Sequence, residues 1–139
     1  MNLLERPVSA FMTPDPAVVD PSQRLSEARH RMIASGGHHI PVVENRRFVG
    51  LLSPSDLLRV TPRDAYAMDP DAFDDALAEL SVRHAMQEDV LTIGPDVTVR
   101  AACGHFAKGG FHCLPIVDAA GVLLGVLTTT DIIRALAAS

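Results

Sequence analysis

The strongest constraint on the fold of this chain is an internal repeat that covers most of its 139 residues. Residues 8–60 align with residues 82–135 at an offset of 74, which pairs Pro41 with Pro115. One extra residue in the second copy changes the offset to 75 for the last part of the alignment. A repeat of this length predicts two copies of one supersecondary unit that bury their apolar faces together.

Each copy predicts the same order of elements, β-α-β-β-α. A short β-rich run ("PAVV" or "VLTI") precedes a segment of helical periodicity, and a hairpin and a short helix follow. Glycine pairs at residues 36–37 and 109–110 are expected to end the first helix of each copy. The residues that we expect these helices to bury are Leu25, Ala28, Met32 and Ile33 in the first copy and Val99, Ala102, Cys103, Phe106 and Ala107 in the second.

The repeat therefore predicts an α+β fold with layers of the α/β type. Two β-α-β-β-α repeats, each with a three-stranded sheet and helices, would pack about a pseudo-two-fold axis as one compact module. We place repeat 1 at residues 1–60, a connecting helical linker at residues 61–81 and repeat 2 at residues 82–139. In the linker, Asp69 is a candidate N-cap and Pro70 suits the first helical position. The linker residues expected to face inward are Phe73, Ala76, Leu77 and Leu80.

Composition argues against several classes of function. The net charge is −5 and no basic cluster stands out, so we do not expect nucleic-acid binding. Aromatic residues make up 4% of the chain, which argues against base-stacking platforms. No apolar run reaches the length of about 18 residues that a membrane span needs. The two cysteines form no CxxC and the first ten residues are too polar for a signal peptide, so we expect reduced thiols and a cytoplasmic location.

The same short pattern, a hydroxyl residue followed three positions later by aspartate, ends each copy. It occurs as Ser53 and Asp56 in "VGLLSPSDLL" and as Thr128 and Asp131 in "LGVLTTTDII". One interpretation is a capping box, with the hydroxyl residue as N-cap and the aspartate at N3. The other is a ligand site, because a helix start also presents free N–H groups to an anion. The two interpretations are compatible. Pro54 removes one donor from the first of these helix starts.

The chain resembles a tandem pair of cystathionine-β-synthase (CBS) domains, known as a Bateman module. The resemblance covers nearly the whole chain and rests on six segments in matching order: "FMTPDPAVV" and "AMQEDVLTI", "HHIPVVE" and "HCLPIVD", and the two segments quoted above. It implies a regulatory module, not an enzyme, that binds an adenosine-containing effector in clefts between the two copies. The implied ligands are AMP, ADP, ATP, S-adenosylmethionine or a related compound, and no catalytic cofactor or metal is implied. It also implies a homodimer, whose output would pass to an effector protein outside this chain.

The resemblance also assigns candidate site residues by position. The ribose candidates are Asp56 and Asp131. The phosphate-side candidates are Ser53, Ser55, Thr128, Thr130, His38 and His112. The base-pocket candidates are Val18, Val19, Ile40, Pro41, Thr92, Ile93, Leu114 and Pro115. Because the second copy is closer to the family pattern, the site around Asp131 is the one we expect to be filled if only one is filled.

Several features keep a structural alternative. Pro41 and Pro115 indicate strand edges that lack a ladder donor, which would be open either to solvent or to a ligand. The histidines after the glycine pairs are either plain loop residues or face a phosphate, and a metal site is the least favoured reading. Arg59 and Arg134 suit an ion pair with the aspartate three residues before each. No nucleophile elbow, P-loop or dinucleotide motif supports catalysis. The rival functions are a ligand-free dimerisation scaffold and a metal-dependent enzyme that uses the His/Cys cluster.

Overall fold

A computed structural model describes residues 2–36, 38–62 and 69–139. The expected glycine at position 37 and residues 63–68 of the expected linker lie outside this range. The strands are β1 (Thr13–Pro14), β2 (Ile40–Glu44), β3 (Arg47–Leu52), β4 (Cys113–Val117) and β5 (Leu123–Thr128). The α-helices are α1 (Leu25–Ala34), α2 (Pro54–Arg59), α3 (Pro70–Leu77), α4 (Val82–Ala85), α5 (Val99–Ala107) and α6 (Thr129–Ala138). Two short 3-10 turns, Leu3–Glu5 and Val8–Ala10, precede β1.

The chain divides into two compact units whose boundaries differ from those of the sequence repeats. Unit 1 combines the segment that ends at Pro16 with residues Leu91–Ser139, and unit 2 is Ala17–Val90. Unit 1 therefore joins the first residues of repeat 1, up to Pro16, to residues 91–139 of repeat 2. Unit 2 joins the rest of repeat 1 to residues 82–90 of repeat 2. The described part of the expected linker belongs to unit 2, where α3 contacts α1. The Asp69 side chain caps α3 by accepting the Ala72 N–H at 2.8 Å, as predicted.

The sheet of unit 2 is smaller than the sequence predicts. Strands β2 and β3 form an antiparallel pair, and the predicted strand "PAVV" is reduced to one parallel bridge from Val19 to Val42. The Val19 N–H donates to the Pro41 carbonyl at 3.1 Å, so the edge expected to be open beside this proline is occupied. On the other side, Leu51 and Gln87 exchange two backbone hydrogen bonds of 2.9 Å. Proline has no N–H to donate, which fits the reduction of the "PAVV" strand to a single bridge beside Pro41.

Unit 1 repeats this arrangement with one more regular strand. Its sheet has the order β1-β5-β4, with antiparallel pairing throughout. The third strand is β1, which comes from repeat 1. The sequence predicted instead that the run "VLTI" of repeat 2 would form this strand. That run contributes one parallel bridge from Ile93 to Ile116, and the Ile93 N–H donates to the Pro115 carbonyl at 3.1 Å. The pairing of Thr13 with Val126 is equivalent, within the repeat, to the bridge between Gln87 and Leu51 in unit 2.

Each unit has its own aliphatic core. The buried core of unit 2 consists of Val19, Leu25, Ala28, Met32, Ile40, Val42, Leu52, Leu57, Leu77, Val82, Ala85 and Met86. That of unit 1 consists of Val8, Ile93, Ala102, Leu114, Ile116, Leu127 and Ile132. The expected inward side of the linker is confirmed for the buried Leu77 and for Phe73 and Leu80, which pack against the same core, whereas Ala76 is half-buried and does not belong to it. The prediction for Ile33 is wrong, because its side chain is 59% exposed. It lies about 100° around α1 from Met32, at the edge of the apolar stripe and near the helix end.

Two equivalent glycines allow a second chain segment to cross each hairpin. A Cβ atom at Gly50 would lie 2.9 Å from the Gln87 carbonyl oxygen. A Cβ atom at Gly125 would lie 2.7 Å from the Thr13 carbonyl oxygen. Contacts this short are not found for real side chains, so glycine is required where the two backbones approach. These crossings bring position 13 to the start of α6 and position 87 to the start of α2, where the predicted carboxylates lie. Within the described residues, no helix has the length and apolar character needed to cross a bilayer.

Candidate functional site

The two predicted carboxylates lie at the starts of α2 and α6 and take part in helix capping. Asp56 is 5% exposed and Asp131 is 8% exposed. The Ser53 N–H donates to Asp56 Oδ2 at 2.8 Å, and the Thr128 N–H donates to Asp131 Oδ2 at 2.9 Å. In α6 the cap is reciprocal, because Thr128 Oγ1 accepts the Asp131 N–H at 3.1 Å. In α2 the Ser53 hydroxyl instead donates to Asp56 Oδ2 at 2.9 Å. The capping interpretation is therefore confirmed for both helices.

The second oxygen of Asp56 is fully engaged by side chains of unit 2. Asp56 Oδ1 accepts from Gln87 Nε2 at 2.9 Å and from Arg59 Nη2 at 3.0 Å. The same guanidinium nitrogen donates to the Ala85 carbonyl at 2.8 Å. Burial raises the pKa of Asp56, but the hydrogen bonds from Gln87, Arg59 and Ser53 outweigh it, so the pKa lies below its ordinary value. This carboxylate is ionised and satisfied at neutral pH.

The second oxygen of Asp131 is engaged much less closely. Thr13 Oγ1 lies 3.4 Å from Asp131 Oδ1, and Arg134 Nη1 lies 3.7 Å from it. Both distances are beyond the usual range of a strong hydrogen bond to a carboxylate. The Arg134 side chain is 74% exposed, so most of it points away from the buried carboxylate and into solvent. The nearby Cys113 thiol is buried, and burial together with the negative charge of Asp131 raises its pKa to about 12. Asp131 Oδ1 thus keeps capacity to accept hydrogen bonds.

Asp131 lines an open pocket of about 570 Å³ in unit 1. Its polar lining consists of Arg6, Thr13, Asp131, Arg134 and Ser139. Its apolar lining consists of Leu3, Ala10, Phe11, Met12, Pro14, Ala135 and Ala138. Small-molecule sites commonly have volumes of about 300–1,000 Å³ and combine apolar walls with a few polar groups. The pocket therefore has the size and the mixed lining of a site for a small organic ligand.

Local interactions hold the N-terminal segment against this pocket. The pairing of Thr13 with Val126 places the Thr13 hydroxyl beside the start of α6. The Arg6 carbonyl accepts the Val99 N–H at 2.9 Å, which fixes the backbone of Arg6 against α5. The Arg6 guanidinium lies over the Phe11 ring, 4.8 Å from its centroid. Two cations and one carboxylate consequently line one pocket built from two separate stretches of sequence, residues 3–14 and residues 131–139.

The residues predicted to line a base pocket mostly contribute to the cores. Val19, Ile40, Ile93 and Leu114 have side chains that are 0–7% exposed and belong to the two hydrophobic clusters. Pro41 and Pro115 are buried within β2 and β4, while Val18 and Thr92 are half-buried. The Val18 carbonyl accepts a hydrogen bond from Arg31 at 2.8 Å. A role of these eight residues in holding a base stays a prediction.

The predicted phosphate-side residues are dispersed. The hydroxyls of Ser53 and Ser55 lie 3.0 Å apart at the start of α2, and Thr128 and Thr130 lie at the start of α6. His38 and His112 are exposed, and the His112 carbonyl accepts the Thr129 N–H at 3.1 Å. Their contact with a phosphate stays a prediction. Within residues 2–36, 38–62 and 69–139, no group of three or more His, Cys, Asp or Glu side chains is placed to hold a metal ion.

The pocket contains functional candidates that sequence reasoning missed. Of its lining residues, Asp131 was predicted as a ligand residue, whereas Arg6 and Thr13 were not, and Arg134 was expected only as the ion-pair partner of Asp131. The ion pairs of Arg59 and Arg134 are confirmed at 3.0 and 3.7 Å. Thr13 lies in the segment "FMTP", which the sequence comparison had already placed at the start of repeat 1. Its contact with Asp131, 118 residues away, follows from the crossing of the N-terminal segment into unit 1.

The profile of the CBS domain matches residues 8–63 and residues 82–138. The chain belongs to the CBS domain family. The two matches coincide with the two copies of the internal repeat, so the CBS pair predicted from the sequence is confirmed.

Curated relatives with CBS regions include much longer enzymes. Inosine-5'-monophosphate dehydrogenase of Korarchaeum cryptofilum is 30% identical over 123 residues, which are 88% of this chain and 23% of that enzyme. Homoserine O-acetyltransferase of Methanocorpusculum labreanum is also 30% identical over 123 residues, which are 22% of its length. The chain thus spans less than a quarter of these relatives. Because their two named activities differ, the shared region does not by itself indicate either reaction.

Solved structures of CBS-pair proteins have the same fold. CBSX2 of Arabidopsis thaliana is 25% identical with a TM-score of 0.82, and the alignment covers 96% of this chain and 95% of CBSX2. A structure of CBSX2 in complex with AMP is 26% identical with a TM-score of 0.79, covering 96% and 97% of the two chains. The predicted α+β CBS fold is therefore confirmed over nearly the whole length of both proteins.

Proposed function

We propose that this CBS pair is a regulatory module without catalytic activity of its own that binds an adenosine nucleotide in the pocket around Asp131. The observation that carries the proposal is the incompletely engaged Asp131 Oδ1, an acceptor on a carboxylate that is 8% exposed and lines a pocket of suitable volume. A buried carboxylate oxygen without a short partner is costly, and a ligand with hydroxyl donors would satisfy Oδ1. The AMP complex of CBSX2 supports the choice of an adenosine nucleotide.

The lining of the pocket suits the three parts of a nucleotide. The two ribose hydroxyls would donate to the Asp131 carboxylate, beside the Thr13 hydroxyl. The cations of Arg6 and Arg134 would pair with phosphate oxygens, for which guanidinium groups provide matching donors. Apolar lining residues such as Phe11 would cover the base. These arginines favour a phosphorylated ligand over the positively charged S-adenosylmethionine.

Binding would regulate by favouring one arrangement of the chain. The nucleotide would bridge β1 and α6, which at present contact each other weakly through Thr13 and Asp131. A state in which the two elements are held together would gain population in proportion to its higher affinity. An effector protein would detect that state. The free thiols of Cys103 and Cys113 fit the reducing cytoplasm that we propose as its location.

A homodimer is part of the proposal. Ile133 and Leu136 of α6 are 64% and 54% exposed and lie three residues apart on one helix. A second copy of the chain would cover these apolar side chains. Light scattering after gel filtration is expected to give twice the mass of the chain. The double variant Ile133→Glu, Leu136→Glu is expected to give the mass of one chain, and an unchanged dimer would exclude this helix as the interface.

Thermal-shift measurements with AMP, ADP, ATP, S-adenosylmethionine and NADH test the nucleotide site. A nucleotide is expected to raise the melting temperature, because a ligand that binds the folded state stabilises it by mass action. Asp131→Asn keeps an acceptor for the helix cap but removes the charge, so it is expected to abolish the shift. The matched control Asp96→Asn, at an exposed position, is expected to retain it.

The rival function is a dimerisation scaffold that binds no small ligand. The absence of stabilisation by every compound at millimolar concentration would favour this rival. If a nucleotide still raised the melting temperature of Asp131→Asn, the chain would be a nucleotide-binding protein, but the proposed pocket would be excluded.

A further inference from the structure

The carboxylate of unit 2 is already occupied by side chains of the chain itself. Asp56 has four hydrogen bonds between 2.8 and 3.0 Å, two to each oxygen. Two come from Ser53, one from Gln87 and one from Arg59. The Arg59 guanidinium is held in place by a further bond of 2.8 Å to the Ala85 carbonyl. The oxygen that would receive a ligand hydroxyl therefore has an amide and a charged donor as its partners.

Position 87 is equivalent to position 13 in the repeat, and the two residues differ. Gln87 bridges Leu51, and Thr13 bridges Val126, at matching places in the two hairpins. From these matching places the longer Gln87 side chain reaches its carboxylate at 2.9 Å, whereas the Thr13 hydroxyl stays 3.4 Å from Asp131. Gln87 is an exposed residue, so its side chain is not required to fill the core. The difference between the two carboxylates follows from this one position and from the closer arginine in unit 2.

We propose that Gln87, with Arg59, occupies the Asp56 carboxylate in place of a ligand, so that the chain binds one nucleotide, at Asp131, and not two. A ribose that entered at Asp56 would have to displace an amide and a charge-assisted hydrogen bond, each already satisfied. Displacing these two bonds, at about tenfold for each, lowers the affinity for a nucleotide at Asp56 by about a hundredfold. Gln87 is thus the residue that determines how many sites the CBS pair offers. The inference rests on the proposed function for the choice of ligand.

Isothermal titration calorimetry with AMP and with ATP, each titrated separately, tests the inference. The wild type is expected to bind one nucleotide per chain, and binding is expected to be lost in Asp131→Asn and unchanged in Asp56→Asn. Gln87→Thr copies the residue of unit 1 into unit 2 and is expected to bind two. The reverse change, Thr13→Gln, is expected to weaken binding at Asp131 by about tenfold, because the amide would compete for the carboxylate. Gln87→Ala provides a second variant if Gln87→Thr does not fold, as judged by circular dichroism.

The outcomes separate this inference from the proposed function. Two nucleotides bound by the wild type, or one bound by both Gln87→Thr and Gln87→Ala, would overturn the role of Gln87 while nucleotide binding stands. If the wild type bound neither nucleotide, the proposed pocket would be wrong. Binding of one nucleotide by Gln87→Thr would then still support the role of Gln87 in closing the Asp56 site, and no binding by either Gln87 variant would overturn that role.

Discussion

Removing the carboxylate of unit 2 is predicted to cost the fold more than removing its counterpart in unit 1. In Asp56→Ala, the N–H and hydroxyl of Ser53 and the amide of Gln87 lose their acceptor. The Arg59 guanidinium loses one partner, but its side chain is 51% exposed and water replaces that bond at little cost. A hydrogen bond to a charged group contributes about 1.5–3 kcal/mol net, and the two part-buried donors of Ser53 dominate. We expect a loss of about 3 kcal/mol in the free energy of unfolding.

The equivalent change in unit 1 removes fewer short contacts. Asp131→Ala takes away the acceptor of the Thr128 N–H, which is the loss of half a helix cap. The contacts with Thr13 at 3.4 Å and Arg134 at 3.7 Å contribute little at these distances. Loss of a cap costs about 1 kcal/mol. The two substitutions, identical in chemistry and in position within the repeat, are therefore expected to differ by about 2 kcal/mol.

Urea denaturation at neutral pH, followed by far-ultraviolet circular dichroism, measures this difference. A gap of about 2 kcal/mol corresponds to midpoints about 1 M apart in urea. Hydrogen exchange assigns the loss to a unit, because Asp56→Ala is expected to speed exchange mainly within residues 17–90. The control Gln87→Ala is expected to account for about 1 kcal/mol of the difference.

Equal losses for the two substitutions would refute the reasoning. That result would mean that the bonds from the Ser53 hydroxyl and from Gln87 contribute nothing to the fold. A larger loss for Asp131→Ala would reverse the order of the two carboxylates and make Asp56 the one that is free for a ligand.

Three further predictions follow from the same geometry. Because the pKa of Asp56 is lowered in the fold, its contribution to stability is complete above about pH 5 and is lost as the pH falls through the folded pKa. Asp56→Asn should therefore flatten the acid side of the profile of unfolding free energy against pH. Gly125→Ala should lose about 1–3 kcal/mol in thermal unfolding because of the 2.7 Å backbone contact, whereas Gly104→Ala, with open space around its Cβ in α5, should gain about 0.5–1 kcal/mol. Cys113, with its pKa raised to about 12, should resist iodoacetamide at pH 8 in the folded protein, and mass spectrometry showing alkylation as fast as at the half-buried Cys103 would contradict this.

Local sequence signals predicted the elements well because their causes are local. The hydroxyl residue and the aspartate three positions later formed the helix starts that the capping chemistry requires. The glycines at 36 and 109 adopt positive φ after α1 and α5, as helix ends favour. The internal repeat then predicted that both copies share one element order, and the matching bridges and bulges confirm it.

The composition of the sheets and of the pocket depended on contacts that no local pattern encodes. The third strand of unit 1 comes from the segment around Thr13, which lies 118 residues from Asp131. The β-rich composition of "VLTI" favoured that run for this role, but the run lies beside Pro115, which lacks a ladder N–H, and forms an isolated bridge from Ile93 to Ile116. Arg6 was missed for the same reason, since its role arises only where the N-terminal segment meets α6.

The crossing of the segments explains how two copies of one motif acquire different roles. The cap residues around each aspartate are close in sequence and are fixed by the needs of the helix start. The partners that distinguish the two carboxylates are distant in sequence. Gln87 is 31 residues from Asp56, and Thr13 is 118 residues from Asp131. A substitution at either of these exposed positions alters access to one carboxylate without altering the cap, the glycine crossing or the core. The repeat can therefore keep its fold symmetric while one carboxylate accepts four short hydrogen bonds and the other keeps one oxygen without a short partner.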